Sequence, residues 1–177
     1  AAPGKQGTAM KPEDFAGRGP AFALEDFFAG EGKAWGLFQD RFGNVRKQFV
    51  ADTRGTWDPA QNTLTLTESF TYDDGSQEER TWHITKLGDT RYRAETDDLV
   101  GAAEIQAHGN AVNLRYRMMI PINGKPVALD FDDWMFRQGD DMVIDRATVT
   151  KWGFQIGTLI ISFQRTAAEG TGQKAAE

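Results

Sequence analysis

Long stretches of this chain alternate strictly between apolar and polar residues, and few architectures accept that pattern. Leu64, Leu66, Phe70 and Tyr72 alternate with Thr63, Thr65, Thr67, Ser69 and Thr71. Val112, Leu114, Tyr116, Met118 and Ile120 alternate with Asn113, Arg115 and Arg117, and Val127, Leu129, Phe131 and Met135 alternate with Asp130 and Asp132. Successive side chains of a strand point to opposite faces, so a period of two predicts strands with one face in a core and the other in water. That is the habit of antiparallel sheet rather than of a parallel sheet covered on both sides.

Turn-forming residues separate these runs. Gly43-Asn44, Pro59 to Asn62, Asp73-Asp74-Gly75-Ser76, Gly88-Asp89, Gly109-Asn110, Asn123-Gly124 and Gly139-Asp140 each follow an alternating segment. Gly and Asn supply the positive φ that tight hairpins need. About ten strands at even spacing predict an all-β fold, an antiparallel up-and-down meander closed into a lipocalin-like barrel, because closure removes exposed edges. The one helical candidate is Leu24 to Ala29, ended by Gly30. Nothing alternates strand with helix, so a doubly wound fold is not expected.

The 177 residues suit one domain with a real core. The expected boundaries are a flexible N-terminal arm over 1–20, the barrel over 21–165 and a flexible tail over 166–177. There is no Cys, which removes disulfides, thiolate metal sites and Cys nucleophiles, and the two histidines, His83 and His108, leave little for a His-based metal site. A net charge of −6 argues against a dedicated nucleic-acid binder. No apolar run approaches the roughly 20 residues that span a bilayer as a helix. No G-x-S-x-G, G-x-G-x-x-G or G-x-x-x-x-G-K pattern occurs. No cofactor, metal site or catalytic residue is therefore predicted.

The informative residues are polar ones in register with apolar neighbours. Glu68 shares parity with Leu66 and Phe70, Asp133 with Phe131 and Met135, and Arg80 with Trp82 and Ile84. The same reasoning sets Arg146 with Met142 and Ile144, and Glu104 with Val100, Ala102 and Gln106. A buried charge must pair, reach water or line a cavity. The plain expectation is an ion-pair cluster closing one end of the barrel, with an Arg–carboxylate contact inside the set. The alternative is a polar anchor for a ligand headgroup in an apolar pocket. Arg80 or Arg146 would then meet a carboxylate, Trp82 and Tyr116 would offer polar tips, and Glu68 and Asp133 would complete the lining. The same inward carboxylates also allow Glu68 or Asp133 to be a general base of a lipid isomerase or hydrolase, and a last alternative is a fully packed barrel serving as a structural or stress protein of the envelope. The remaining tryptophans are expected in the core. The Asp130, Asp132, Asp133 run does not suggest a metal site, since neighbouring strand residues face opposite ways.

Several segments, taken in order, carry a resemblance. They are Phe27-Phe28-Ala29-Gly30, the run from Gly36 to Gly43, Phe70 to Gly75, Arg80-Thr81-Trp82 and Asp98 to Gly101. Gly109-Asn110-Ala111, Phe131 to Met135 and Lys151-Trp152-Gly153 follow. Over about residues 20 to 165 the chain resembles an uncharacterised bacterial family, domain of unknown function 3833. It departs from that family's pattern at Leu114, where Trp is expected, and in having no lipobox Cys. The resemblance implies a lipocalin-like barrel, a periplasmic or outer-membrane location and no established catalysis. It also implies lipid handling, with a fatty acid or similar amphiphile as the partner, and membrane anchoring through a lipidated N-terminus that this chain does not include.

Overall fold

The computed structural model describes residues 9–166. Ten strands follow one another: β1 Gly30–Asp40, β2 Val45–Asp58, β3 Thr63–Tyr72, β4 Gln77–Lys86, β5 Arg91–Glu95, β6 Ala103–His108, β7 Ala111–Ile122, β8 Lys125–Gln138, β9 Met142–Lys151 and β10 Phe154–Arg165. Each pairs antiparallel with its sequence neighbours, and β1 also pairs with β10, from Gly32 opposite Arg165 to Asp40 opposite Gly157, which closes the barrel. The expected meander and the seven expected turns are all present. Two connections went unanticipated, the loop 96–102 and the β9–β10 hairpin. In that hairpin Trp152 (φ 50°) and Gly153 (φ 80°) hold the left-handed positions that Asn123 and Gly124 occupy between β7 and β8.

Before β1 lies a short helix, α1, Leu24–Phe28, at the end of the barrel where β1 begins. Its apolar residues plug that end: Leu24, Phe27 and Phe28 are buried with Phe22, and Phe28 meets Phe163 edge-on at 5.3 Å. The plug sits this close because Gly55 and Gly109 have no side chain. A Cβ on Gly55 would collide with the Phe28 carbonyl oxygen, and one on Gly109 with the carbonyls of Phe15 and Arg18. Arg137, buried at the same end, donates from Nη1 to the Ala21 carbonyl at 2.8 Å and to Asp26 Oδ2 at 3.1 Å, and from Nη2 to the Asp140 carbonyl at 2.9 Å. Tyr92 donates to Glu25 Oε2 at 2.6 Å, and Lys86 pairs with the other Glu25 oxygen.

Two sequence expectations need correcting here. Residues 9–20 of the supposed loose arm are tied to the barrel: Pro12–Phe15 form a 3-10 turn, and buried Phe15 packs against Phe136 at 5.3 Å and Trp134 at 5.9 Å. The outward aromatics of β8 give that segment a surface to cover, which a linear reading does not reveal. Residues 1–8 of the arm and 167–177 of the tail lie outside the described residues.

The second correction concerns register. On β9 the inward residues are Val143, Asp145, Ala147 and Val149, while Ile144 and Arg146 are exposed. On β6 they are Ala103, Ile105 and Ala107, and Glu104 faces outward. Apolar residues occupy both parities of β9, so its pattern is ambiguous until it pairs with β8, where Asp133 lies opposite Ala147 and Met135 opposite Asp145. For β6, the expected parity was carried across Val100 and Ala102, which belong to the preceding loop rather than to the strand.

Candidate ligand-binding site

The barrel interior holds a cavity of about 420 Å³, within the roughly 300–1,000 Å³ range of small-molecule pockets. Its walls come from alternate positions of nearly every strand. Leu24 and Phe28 of the plug form the floor. Lys47, Tyr72, Glu78 and Ile122, toward the opposite end, mark the mouth. The wall between is apolar, with Phe49, Leu66, Ile105, Met118, Leu129 and Leu159 among its members.

A polar belt interrupts that wall. Glu68, Asp133 and Asp145 are each buried and line the cavity. Glu68 comes from β3, and the Trp82 ring comes from the neighbouring β4. Tyr116 on β7 stacks on Phe131 at 4.8 Å, meets Trp82 edge-on at 5.6 Å and donates to Asp133 Oδ2 at 3.2 Å. Asp133 and Asp145 are diagonal neighbours on the inner face of the β8–β9 ladder, a spacing that lets carboxyl groups meet. The Oδ1 atom of each is buried without a hydrogen-bond partner among the described residues.

These surroundings favour the neutral forms of the belt's acids. Removal from water pushes the Glu68 carboxyl up to about 7, a shift that the neighbouring Trp82 indole and the Arg80 charge oppose only in part. Burial raises Asp133 and Asp145 as well; the Asp133 charge further disfavours ionisation of Asp145, whereas a hydrogen bond from Asp145 offsets part of the rise at Asp133. Burial next to these acids also raises the Tyr116 phenol well above its ordinary value, so it remains a donor.

Five of the six expected site residues thus converge on one cavity: Glu68, Arg80, Trp82, Tyr116 and Asp133 all line it. Arg146 does not. It stands on the outer surface opposite Trp134, for the reason of register given above. The expected Arg–carboxylate pair inside the set is also absent among the described residues. Although Arg80 lies directly across the ladder from Glu68, its guanidinium turns toward the mouth. There it reaches Glu78 at 3.2 Å, Asp98 at 3.9 Å and the Asp97 carbonyl at 2.8 Å. A guanidinium left against Glu68, whose carboxyl burial pushes toward the neutral form, would gain little, whereas Glu78 and Asp98 stand partly in water at the mouth.

Asp145, Arg137 and Lys47 were missed. Asp145 was hidden by the parity error on β9. Arg137 was legible, since it continues the inward series Phe131, Asp133, Met135. Lys47 was legible too, since it shares the parity of Phe49 and Ala51 on β2; it stands at the mouth, where its ammonium lies 3.8 Å from the Tyr72 ring centre. Of the five tryptophans only Trp82 lines the cavity; Trp152 is fully on the surface. Asp130 and Asp132 face outward and pair with Arg117 and Arg115, which accounts for that acidic run.

Comparison with known proteins places the fold. Structures of similar shape include the S-type phycobiliprotein lyase CPES from Guillardia theta (TM-score 0.62, 10% identity, 90% of this chain and 100% of that one). Another is a protein of unknown function from the DUF3598 family of Nostoc punctiforme PCC 73102 (TM-score 0.57, 11% identity, 83% of this chain and 50% of that one). At such identities the likeness concerns the fold alone, that of a closed antiparallel β-barrel. No curated protein matches the sequence. The family described as "Protein of unknown function (DUF3833)" matches residues 5–165, nearly the whole chain, and this protein belongs to it.

Proposed function

We propose that this protein is a non-enzymatic binder or carrier of one small amphiphile, of the fatty-acid class, in the bacterial envelope. The observation that carries the reading is the cavity itself: an apolar space of about 420 Å³ running from the aromatic floor to a mouth that bears the cations Lys47 and Arg80. An acyl chain fills the space below, gaining about 25 cal/mol for each Å² of apolar surface withdrawn from water. The carboxylate stays at the mouth with Lys47, whose ammonium rests on an aromatic face rather than on a carboxylate. The belt adds hydrogen-bonding groups at mid-depth, with carboxyls that burial pushes toward their neutral forms. The envelope location draws its support from the family resemblance.

Titration of delipidated protein with a fluorescent fatty acid tests the reading. Saturable binding of one ligand per chain is expected, weakened roughly tenfold or more in Lys47→Ala, as loss of a charge-assisted contact implies. Absence of saturable binding to any acyl ligand refutes it.

One observation favours a second reading. Glu68, poised at about 7 near Asp133 and Asp145, whose carboxyls burial also pushes upward, sets titratable acids side by side inside an apolar cavity. It would serve proton transfer on a bound lipid, as in double-bond isomerisation. Deuterium uptake by an unsaturated fatty acid in D2O, lost in Glu68→Gln, is the discriminating result; no uptake leaves the carrier.

A further inference from the structure

The connections at the mouth end follow one another round the barrel in the order 41–44, 152–153, 123–124, 96–102 and 73–76. They divide into two arcs of opposite character. In the first, residues 40–47, 120–126 and 150–155 contain Arg41, Arg46, Lys47, Lys125 and Lys151 against a single carboxylate, Asp40, which Arg46 holds at 2.7 Å. In the second, residues 73–79 and 96–101 contain Asp73, Asp74, Glu78, Glu79, Asp97 and Asp98 and no Lys or Arg.

The basic arc also exposes large aromatic side chains. Phe42, Trp152 and Phe154 are 75%, 85% and 75% exposed, and Val45 and Ile122 beside them are also open to solvent. Trp152 is the most telling. It takes a left-handed turn position, with φ of 50°, which Asn fills at the equivalent place between β7 and β8. Neither turn chemistry nor burial accounts for an indole there. Two of the three exposed rings have a cation close by: Lys151 lies 4.4 Å from the Trp152 ring centre, and Arg41 lies 4.7 Å from that of Phe42. Aromatic tips among Lys and Arg match the boundary of an anionic bilayer, where rings sit at headgroup depth and cations meet lipid phosphates.

We propose that the mouth of the barrel docks on an anionic lipid bilayer through this arc. Phe42, Trp152 and Phe154 enter the headgroup boundary, and Arg41, Lys125 and Lys151 lie over the phosphates. The acidic arc is repelled, which tilts the barrel so that only one side of its mouth touches lipid. The chain's net charge of −6 makes the placement of the cations, not their total, the source of attraction. An apolar ligand could then pass between bilayer and cavity without crossing bulk water.

The test is co-sedimentation of the full chain with vesicles of equal parts phosphatidylglycerol and phosphatidylcholine, compared with pure phosphatidylcholine. Binding to the anionic vesicles is expected, falling in high salt, with roughly fivefold loss per cation in Lys125→Gln and Lys151→Gln. The Trp152→Ser/Phe154→Ser double variant should lose at least tenfold, while Asp73→Asn/Asp74→Asn should bind as tightly or more tightly. These side chains are exposed, so thermal melts of all variants should match the parent. Absence of vesicle binding, equal binding by the aromatic double variant, or self-association through this arc in place of vesicle binding would overturn the proposal. Fatty-acid titration of the double variant without vesicles reads the cavity separately, so failure here leaves the carrier reading untouched.

Discussion

Replacing Glu68 by Gln should stabilise this protein at neutral and alkaline pH and do so in a defined pH window. In the native barrel the Glu68 carboxyl is fully buried, and loss of hydration raises it from an ordinary 4.5 to about 7. The native state therefore binds this proton more tightly than the unfolded chain does. Its contribution to stability is complete below about 4.5 and is lost progressively as pH rises to about 7. At about 1.4 kcal/mol per unit, the loss amounts to roughly 3 kcal/mol by pH 8. Gln keeps the size and an acceptor for the Trp82 indole but has no proton to lose. Urea unfolding of the parent and Glu68→Gln at pH 4.5, 6, 7 and 8 gives the difference in stability at each pH. That difference should swing in favour of Gln by roughly 3 kcal/mol between pH 4.5 and 8. Asp133 and Asp145 titrate in both proteins, so most of their contribution cancels. A difference that is flat across this range, or that swings the other way, would show that Glu68 is not a desolvated neutral acid.

Other outcomes follow from the same geometry. Arg146→Ala should leave ligand affinity unchanged in the fatty-acid titration, since the side chain is outside the barrel, while Arg80→Ala should change it. Arg137→Ala should cost about 1–3 kcal/mol in urea unfolding, because it leaves the Ala21 and Asp140 carbonyls without their donor at the plugged end, while the exposed Asp26 carboxylate turns to water. The same variant should speed amide exchange across residues 12–28. Gly55→Ala should cost about 1–3 kcal/mol, since its Cβ needs the space that the Phe28 carbonyl occupies. A mild thermal shift with unchanged plug protection would contradict that contact. Tyr116→Phe removes the hydrogen bond to Asp133 and should lower stability by about 1 kcal/mol while raising the Asp133 carboxyl further, readable by NMR titration.

Alternation and turn chemistry were enough to reach the barrel. Clean period-two runs such as Leu64–Tyr72 and Val112–Ile120 have only one sensible face to bury, and Gly or Asn between them leaves the chain little choice but a hairpin. The same logic oriented Glu68, Arg80, Trp82, Tyr116 and Asp133 inward, because each shares parity with unambiguous apolar neighbours. Where both parities carry apolar residues, as on β9, local pattern has no preference. Only the ladder with β8 turns Asp145 in and Arg146 out. Convergence is likewise tertiary: the belt joins residues from β3, β4, β7, β8 and β9, far apart in sequence and brought face to face by closure of the sheet. The choice of Arg80 for Glu78 and Asp98 over Glu68 also needed the folded barrel, since it depends on which carboxylates remain hydrated. So does the division of the mouth into basic-aromatic and acidic arcs, which arises because closure sets the 41–44, 152–153 and 123–124 tips side by side. Local sterics and hydrophobicity set which residues could be strands and which faces could be buried, so those were readable from the residues alone. Which charges meet, and which stay wet, depended on distances that exist only once β1 has paired with β10.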